Sequence, residues 1–154
     1  MFIIEFHTFE IKDRDYINSF FKVHHYEGID CSFNTLFLWQ NDTRWAVEDG
    51  ILFIRAGKDR PFFMPPFAGE GASFAKGLER IHDCLEAAGK PFILKSASPW
   101  VTEQIENHCP GKYDFLPNRD GWEYIYRTAD MIQLPGKKFR MKKNHLNSFL
   151  RQYG

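Results

Sequence analysis

The chain has 154 residues and a mass of 18.2 kDa, which is the size of one ordinary domain. Hydrophobic residues make up 44% and charged residues 26%, a composition that excludes an intrinsically disordered protein. Lys plus Arg and Asp plus Glu each number 20, so the net charge of the whole molecule cannot capture nucleic acid or an anionic membrane.

No targeting or membrane segment is visible in the sequence. Acidic residues interrupt the first fifteen positions, and the longest apolar runs, such as residues 51–54, have four members. The three cysteines, Cys31, Cys84 and Cys109, are odd in number and widely spaced, which favours reduced thiols. These features predict a cytoplasmic protein without a transmembrane segment.

Two helices are predicted in the first forty residues. Asp13 can cap a helix whose apolar residues recur at helical spacing between positions 16 and 23. His24 and His25 lie at its end, where the helix dipole favours cations. Ser32 can cap a second helix shortly afterwards.

The next segment predicts a three-stranded meander. Asp49-Gly50 lies between the short apolar runs 45–47 and 51–54, and this dipeptide is a strong signal of a tight hairpin. A third strand over residues 62–64 should end at Pro65-Pro66, because neither proline has an N–H for the ladder.

The remainder of the chain predicts three more helices and two strands. In order, they are a helix capped by Ser73 and stopped by Gly89, a strand over 92–94, a helix from Ser98-Pro99 that stops before Pro110, a strand over Tyr124–Tyr126 and a helix over 138–153. Helices around a mostly antiparallel sheet make an α+β layer fold. The order of elements resembles that of the GNAT-type acyl-CoA N-acyltransferase fold, which is an analogy of architecture.

Charge divides the chain into an acidic body and a basic end. From Met131 to Gly154 there are six Lys or Arg residues and no acidic residue, whereas the other 130 residues hold 14 positive and 20 negative ones. A solvated helix that neutralises the body would explain this pattern. A local phosphate-binding surface is the alternative.

The last predicted helix is amphipathic. Its apolar stripe spans about a 100° arc of the helical wheel and contains Phe139, Leu146, Phe149, Leu150 and Tyr153. We expect this stripe to face the core, with Lys142 and Lys143 flanking it. Ammonium groups beside a wall of low dielectric attract phosphate better than ammonium groups in open water.

The basic segment carries a family resemblance. Residues 134–139 (LPGKKF) followed by residues 142–149 (KKNHLNSF) resemble the central motif of a bacterial family related to the C-terminal domain of phosphatidylglycerol lysyltransferase. Residues 123–126 (EYIY), the segment 32–39 (SFNTLFLW) and the strand end 63–66 (FMPP) also match this family. The similarity therefore spans nearly the whole chain.

This resemblance implies a tandem of two GNAT-like lobes. Residues 1–133 would form the N-terminal lobe, and residues 134–154 a connecting helix that leads to an absent second lobe. Related proteins transfer an aminoacyl group from aminoacyl-tRNA to a lipid head group, and relatives of the fold acylate amines from acyl-CoA. The expected function is acyl or aminoacyl transfer to an amine or lipid hydroxyl, with this half inactive alone. A non-catalytic module that binds tRNA or anionic lipid is the alternative, and a lobe that only buttresses its partner is a third option.

The candidate site residues follow from the basic segment and from nearby rings. The candidate phosphate-binding groups are Lys137, Lys138, Arg140, Lys142, Lys143, Asn144 and Asn147. The candidate cleft-lining residues are Trp39, Tyr124 and Tyr126, of which the two tyrosines share one face of a predicted strand. Ring packing in an aromatic core is the alternative for the tyrosines. The catalytic residues are unknown.

No bound cofactor or metal is predicted for this half. The loop Gly69-Glu70-Gly71-Ala72 occupies the place where a GNAT enzyme holds the CoA pyrophosphate, but Glu70 puts a negative charge there. His82 and Cys84 are too close in sequence for a convincing zinc set. Acyl-CoA or aminoacyl-tRNA would be the donor of the longer protein.

Overall fold

The computed structural model describes residues 4–24, 26 and 28–154, so His25 lies outside the described residues. The chain divides into two compact units, unit 1 (Met1–Gly121) and unit 2 (Trp122–Gly154). Unit 1 contains the helices α1 (Arg14–Val23), α2 (Phe33–Leu38), α3 (Phe74–Ala87) and α4 (Pro99–His108) and the strands β1 (Arg44–Glu48), β2 (Ile51–Ala56), β3 (Phe62–Phe63) and β4 (Phe67–Ala68). Unit 2 contains α5 (Thr128–Gln133) and α6 (Arg140–Tyr153).

The β1–β2 hairpin has the predicted turn. Glu48 pairs with Ile51 across it. Asp49 and Gly50 both have positive φ, 49° and 72°, the conformation that a two-residue turn of this kind requires. Asn, Asp and Gly reach this conformation more readily than other residues, so the dipeptide fixes the register of the hairpin.

The opposite edge of β2 pairs with an interrupted strand. β3 and β4 both run antiparallel to β2, and Met64 between them donates its N–H to Ile54 O at 2.9 Å. Pro65 and Pro66 then break the ladder as predicted, and both are buried. The sheet is therefore antiparallel and short, with its central strand in β2.

Helices cover both faces of the sheet. Leu52 and Ile54 of β2 point into a cluster with residues of α1 and α2, while Ile51 and Phe53 point into a second cluster with residues of α3. α4 packs on α3 through Val101 and Ile105. These layers confirm the α+β class, and the GNAT-type assignment stays a prediction.

Three helix caps are as the sequence indicates. The hydroxyls of Ser32, Ser73 and Ser98 each accept the N–H of the residue three positions later, at 3.3 Å. Asp13 takes the predicted N-cap position of α1, but its side chain makes no capping bond. Its carboxylate instead accepts the N–H of Glu10 at 2.9 Å, because a 3-10 turn over Ile11–Asp13 precedes α1.

Two predicted strands are not formed within the described residues. Residues 92–94 contribute only one bridge, Leu94 to Phe63, although Ile93 O and Lys95 N–H both bond to Phe63. Residues 124–126 form no ladder, and Tyr124 is 85% exposed. A strand needs a neighbouring strand for its backbone N–H and C=O groups, and the alternation of three residues at 124–126 does not show whether such a neighbour exists.

The predicted burial of the last helix is also wrong. Phe139, in a 3-10 turn over Lys137–Phe139, is 2% exposed, but α6 itself has no buried residue. Its other four stripe residues are exposed by 46–67%: Leu146, Phe149, Leu150 and Tyr153. Amphipathic spacing identifies an apolar face but does not by itself cover that face.

Among the helices of the described residues, none combines the length and apolarity needed to cross a bilayer.

α3 packs closely on the sheet at Gly77. A Cβ added there would lie 2.5 Å from Pro66 Cβ and 3.3 Å from Ile51 Cγ2. In a helix, Gly→Ala ordinarily stabilises by about 1 kcal/mol. Here we expect Gly77→Ala to lower the free energy of unfolding by about 1–2 kcal/mol, because overpacking outweighs that gain. Urea denaturation measures the change, with exposed Lys76→Ala as the control, and a more stable Gly77→Ala protein would contradict the packing.

Candidate functional site

A turn in unit 2 brings the basic segment back beside α5. Leu134 ends α5 in the left-handed conformation with φ 47° and donates its N–H to Asp130 O at 2.8 Å. Gly136 follows with φ 72° and ψ −176°, a region open essentially only to glycine. The buried Leu134 side chain holds the turn. The chain therefore reverses, and Lys138 lies beside Asp130 of α5.

The segment before α5, α5 itself and the start of α6 line an open surface cavity of ≈ 640 Å³. It is lined by Ile125, Tyr126, Arg127, Asp130, Lys138, Phe139 and Lys142. All of these residues belong to unit 2, so the cavity is formed within one compact unit. We call it the cationic pocket.

Aromatic rings support the two ammonium groups of the cationic pocket. Lys142 Nζ lies 5.4 Å from the centroid of the Tyr126 ring, and Lys138 Nζ lies 4.7 Å from that of Phe139. The two rings are 6.5 Å apart, centroid to centroid. Ring faces attract cations and offer them no competing anionic oxygen, so these contacts position the ammonium groups without neutralising them.

One carboxylate partly balances the charge. Lys138 Nζ lies 3.3 Å from Asp130 Oδ2, in an exposed ion pair. With Arg127 and Lys142 also on the wall, the cationic pocket carries three positive side chains and one negative one. This balance, together with the several N–H donors of a guanidinium and two ammonium groups, suits a phosphate group.

The cationic pocket gathers only some of the predicted phosphate-binding residues. Lys138 and Lys142 line it. Lys137, Arg140 and Lys143 are exposed and lie outside its lining. Asn144 and Asn147 line a separate depression of ≈ 570 Å³ on the surface of α6, together with Leu150 and Arg151.

The predicted cleft-lining rings also separate. Tyr126 lines the cationic pocket and contacts Lys142. Tyr124 is exposed and is not part of the lining. Trp39 follows α2 in unit 1 and is 74% exposed.

Two charged residues of the cationic pocket, Arg127 and Asp130, were not among the predicted site residues. Asp130 is the last acidic residue before the acid-free stretch that begins at Met131, and this position was a usable signal. Arg127 directly follows the aromatic pair of the EYIY segment. Neither residue lies within the basic motif, so spacing alone did not associate them with it.

Two other places for a ligand lie in the described part of unit 1, and both are weak. In the glycine loop, the N–H groups of Gly69 and Ala72 already bond to backbone oxygens, and Glu70 is exposed. On α3, one ligand atom from each of His82, Asp83 and Glu86 lies within 4.8 Å of the others. This cluster is partly exposed and acidic, which is common on helix surfaces without any ion.

Asp130 should restrain anion binding in the cationic pocket. Asp130→Asn removes the only carboxylate of its lining, and we expect about a five-fold gain in affinity for pyrophosphate, equivalent to about 1 kcal/mol. The exposed ion pair contributes little to folding, so the free energy of unfolding should change by less than about 0.5 kcal/mol. Calorimetric titration tests this, with Asp114→Asn in unit 1 as the control, and an unchanged affinity would contradict it.

Comparisons with known proteins agree with the resemblance in the motif. Residues 21–154 match the family model described as "Phosphatidylglycerol lysyltransferase, C-terminal". A crystal structure of a conserved protein of unknown function from Bacteroides thetaiotaomicron VPI-5482 is similar, with a TM-score of 0.80 and 26% identity. The similarity covers 98% of this chain and 51% of that one, so the chain spans about half the length of the solved protein. A search of curated proteins gives no match. From the family match, the chain belongs to the phosphatidylglycerol lysyltransferase C-terminal family and is a transferase-related protein.

Proposed function

We propose that this chain is one lobe of an acyl or aminoacyl transferase and that its cationic pocket holds a phosphate group of the substrate. The observation that carries the proposal is the convergence of Arg127, Lys138 and Lys142 on one cavity. Family membership supports the transferase class. The greater length of the solved relative supports a second lobe as the partner within the whole protein.

The role of the cationic pocket is binding and orientation. Its titratable groups are three cations, a tyrosine and one carboxylate paired with Lys138, so its chemistry is the attraction of an anion. A phosphate held there would fix the donor while an amine or hydroxyl attacks the acyl carbonyl at the reacting centre. The new amide or ester forms as the donor's leaving group departs. This lobe alone would not carry out the transfer.

The donor we propose is aminoacyl-tRNA, and the compartment is therefore the cytoplasm. A ring beside cations suits the end of a single-stranded nucleic acid, where phosphates meet Lys or Arg and bases meet aromatic side chains. Tyr126 and Lys142 provide this combination. Acyl-CoA is the less favoured donor for this half, since Gly69 and Ala72 in the glycine loop have already used their N–H groups.

Paired variants of α6 and its preceding turn test the proposal. Replacing both Lys138 and Lys142 by Ala removes two cations from the cationic pocket. The matched control replaces Arg140 and Lys143, which lie outside the lining and carry the same charge. We expect the pocket variant to lower affinity for unacylated tRNA at least ten-fold and the control at most three-fold, by fluorescence anisotropy.

Salt provides a second readout of the same experiment. Loss of two phosphate contacts should reduce the slope of log K against log salt by about 1.5 in the pocket variant. Equal losses of affinity in both variants would show that binding follows net charge and would overturn the role of the cationic pocket. Stabilisation of the wild-type chain against heat by CoA but not by tRNA would contradict the proposed donor.

A non-catalytic module that binds anionic lipid is the second candidate. The observation that favours it is the exposed apolar stripe of α6 beside Lys142 and Lys143, since basic amphipathic helices lie on membrane surfaces. Co-sedimentation with phosphatidylglycerol vesicles distinguishes it from the first proposal. Retention on these vesicles, without measurable tRNA affinity, would favour the lipid-binding module.

A further inference from the structure

The four exposed stripe residues of α6, Leu146, Phe149, Leu150 and Tyr153, form one surface. We call it the apolar face of α6. Phe149 and Tyr153 pack together on adjacent turns, with ring centroids 5.2 Å apart and ring planes tilted by 42°. Two aromatic and two leucine side chains on one face of a helix amount to several hundred Å², as large as the largest apolar patch on a typical monomer.

The largest apolar patch of a monomer is often a functional surface. Each side of a standard protein–protein interface is about 800 Å², so the apolar face of α6 could form the centre of one such interface. Aromatic residues also dominate the energetic centre of interfaces. Its area and composition therefore indicate a protein surface as its cover.

Charge argues against a second copy of the same helix as that cover. Lys142 lies one turn before Leu146 on the same side of α6, Lys143 lies at the edge of the apolar face, and no acidic residue occurs between Met131 and Gly154. Two such helices packed face to face would bring these basic residues together in a parallel arrangement and would offer them no carboxylate in either arrangement, which disfavours association. The complementary surface should therefore carry carboxylates around an apolar centre.

The solved relative indicates where such a surface would come from. It aligns with 98% of this chain, and so with most of α6, yet this alignment accounts for only 51% of its length. An equal length of polypeptide is present in the relative and available to pack on the counterpart of α6.

We propose that the apolar face of α6 docks a second lobe, equivalent to the unmatched half of the solved relative, through an apolar patch rimmed by carboxylates. This inference rests on the two-lobed transferase proposed above and identifies the surface that joins the lobes. Leu146, Phe149 and Tyr153 lie outside the lining of the cationic pocket. Docking and phosphate binding are therefore separable by mutation.

Thiol labelling tests the docking. Leu146→Cys places a probe on the apolar face of α6, and Met141→Cys places a control probe at another exposed position of the same helix. Both are made in the 154-residue chain and in the chain extended to the natural end of its reading frame. Maleimide labelling is followed at each cysteine by peptide mass mapping, which separates the probes from Cys31, Cys84 and Cys109.

We expect Leu146→Cys to react at least ten-fold more slowly in the extended chain than in the 154-residue chain, while Met141→Cys changes less than two-fold. Phe149→Asp in the extended chain should restore the fast reaction of Leu146→Cys. A reading frame that ends at residue 154, or equal Leu146→Cys rates in both chains, would overturn the proposal. Protection in the 154-residue chain by phosphatidylglycerol vesicles, or by raised protein concentration, would do the same in favour of a membrane or a second copy.

The outcome is independent of the tRNA experiment. Phe149→Asp should leave the affinity for tRNA unchanged within two-fold, whereas Lys138→Ala with Lys142→Ala should leave the protection of Leu146→Cys intact. Loss of protection alone therefore refutes the docking surface, and loss of tRNA discrimination alone refutes the cationic pocket.

Discussion

The burial of β2 on both faces is the constraint on which unit 1 depends. Residues 51–54 are four consecutive buried apolar side chains that alternate between two sides of the sheet. A strand of this kind needs cover from helices on both sides, because two exposed apolar faces would be costly in water. α1 and α2 provide one cover and α3 the other.

Unit 2 is built on a different principle. It has no buried strand, and its shape depends on a backbone turn in which Leu134 and Gly136 both have positive φ. The turn brings charged side chains together, since it places Lys138 beside Asp130. The start of the segment that follows thereby carries the cationic pocket, for which we propose anion binding. Its far end carries the exposed apolar face of α6.

Local chemistry made much of unit 1 predictable. The serine caps and the Asp49-Gly50 turn act through neighbours within a few residues, and sequence shows such neighbours directly. The failures concern features that need a distant partner. Residues 124–126 have the alternation of a strand without a ladder, and α6 has the spacing of a core helix without a cover.

The cationic pocket was only half predictable for the same reason. Lys138 and Lys142 belong to a recognisable basic motif, whereas Arg127 and Asp130 join them through the turn. Leucine rarely adopts the left-handed conformation that Leu134 has there, so residue propensities give no warning of the reversal. Composition revealed the acid-free stretch but not the geometry that places Lys138 against the carboxylate of Asp130.

The pairing of Lys138 with Asp130 also has a consequence for selectivity among anions. A halide carries a single charge and accepts no more hydrogen bonds than the Asp130 carboxylate that Lys138 already contacts. Replacing that carboxylate contact by a halide would therefore gain little binding free energy. A phosphate dianion brings twice the charge and oxygens enough to engage Lys142 and Arg127 as well. In the anion-binding role that we propose for the cationic pocket, the Asp130 carboxylate would therefore favour multivalent anions over monovalent ones.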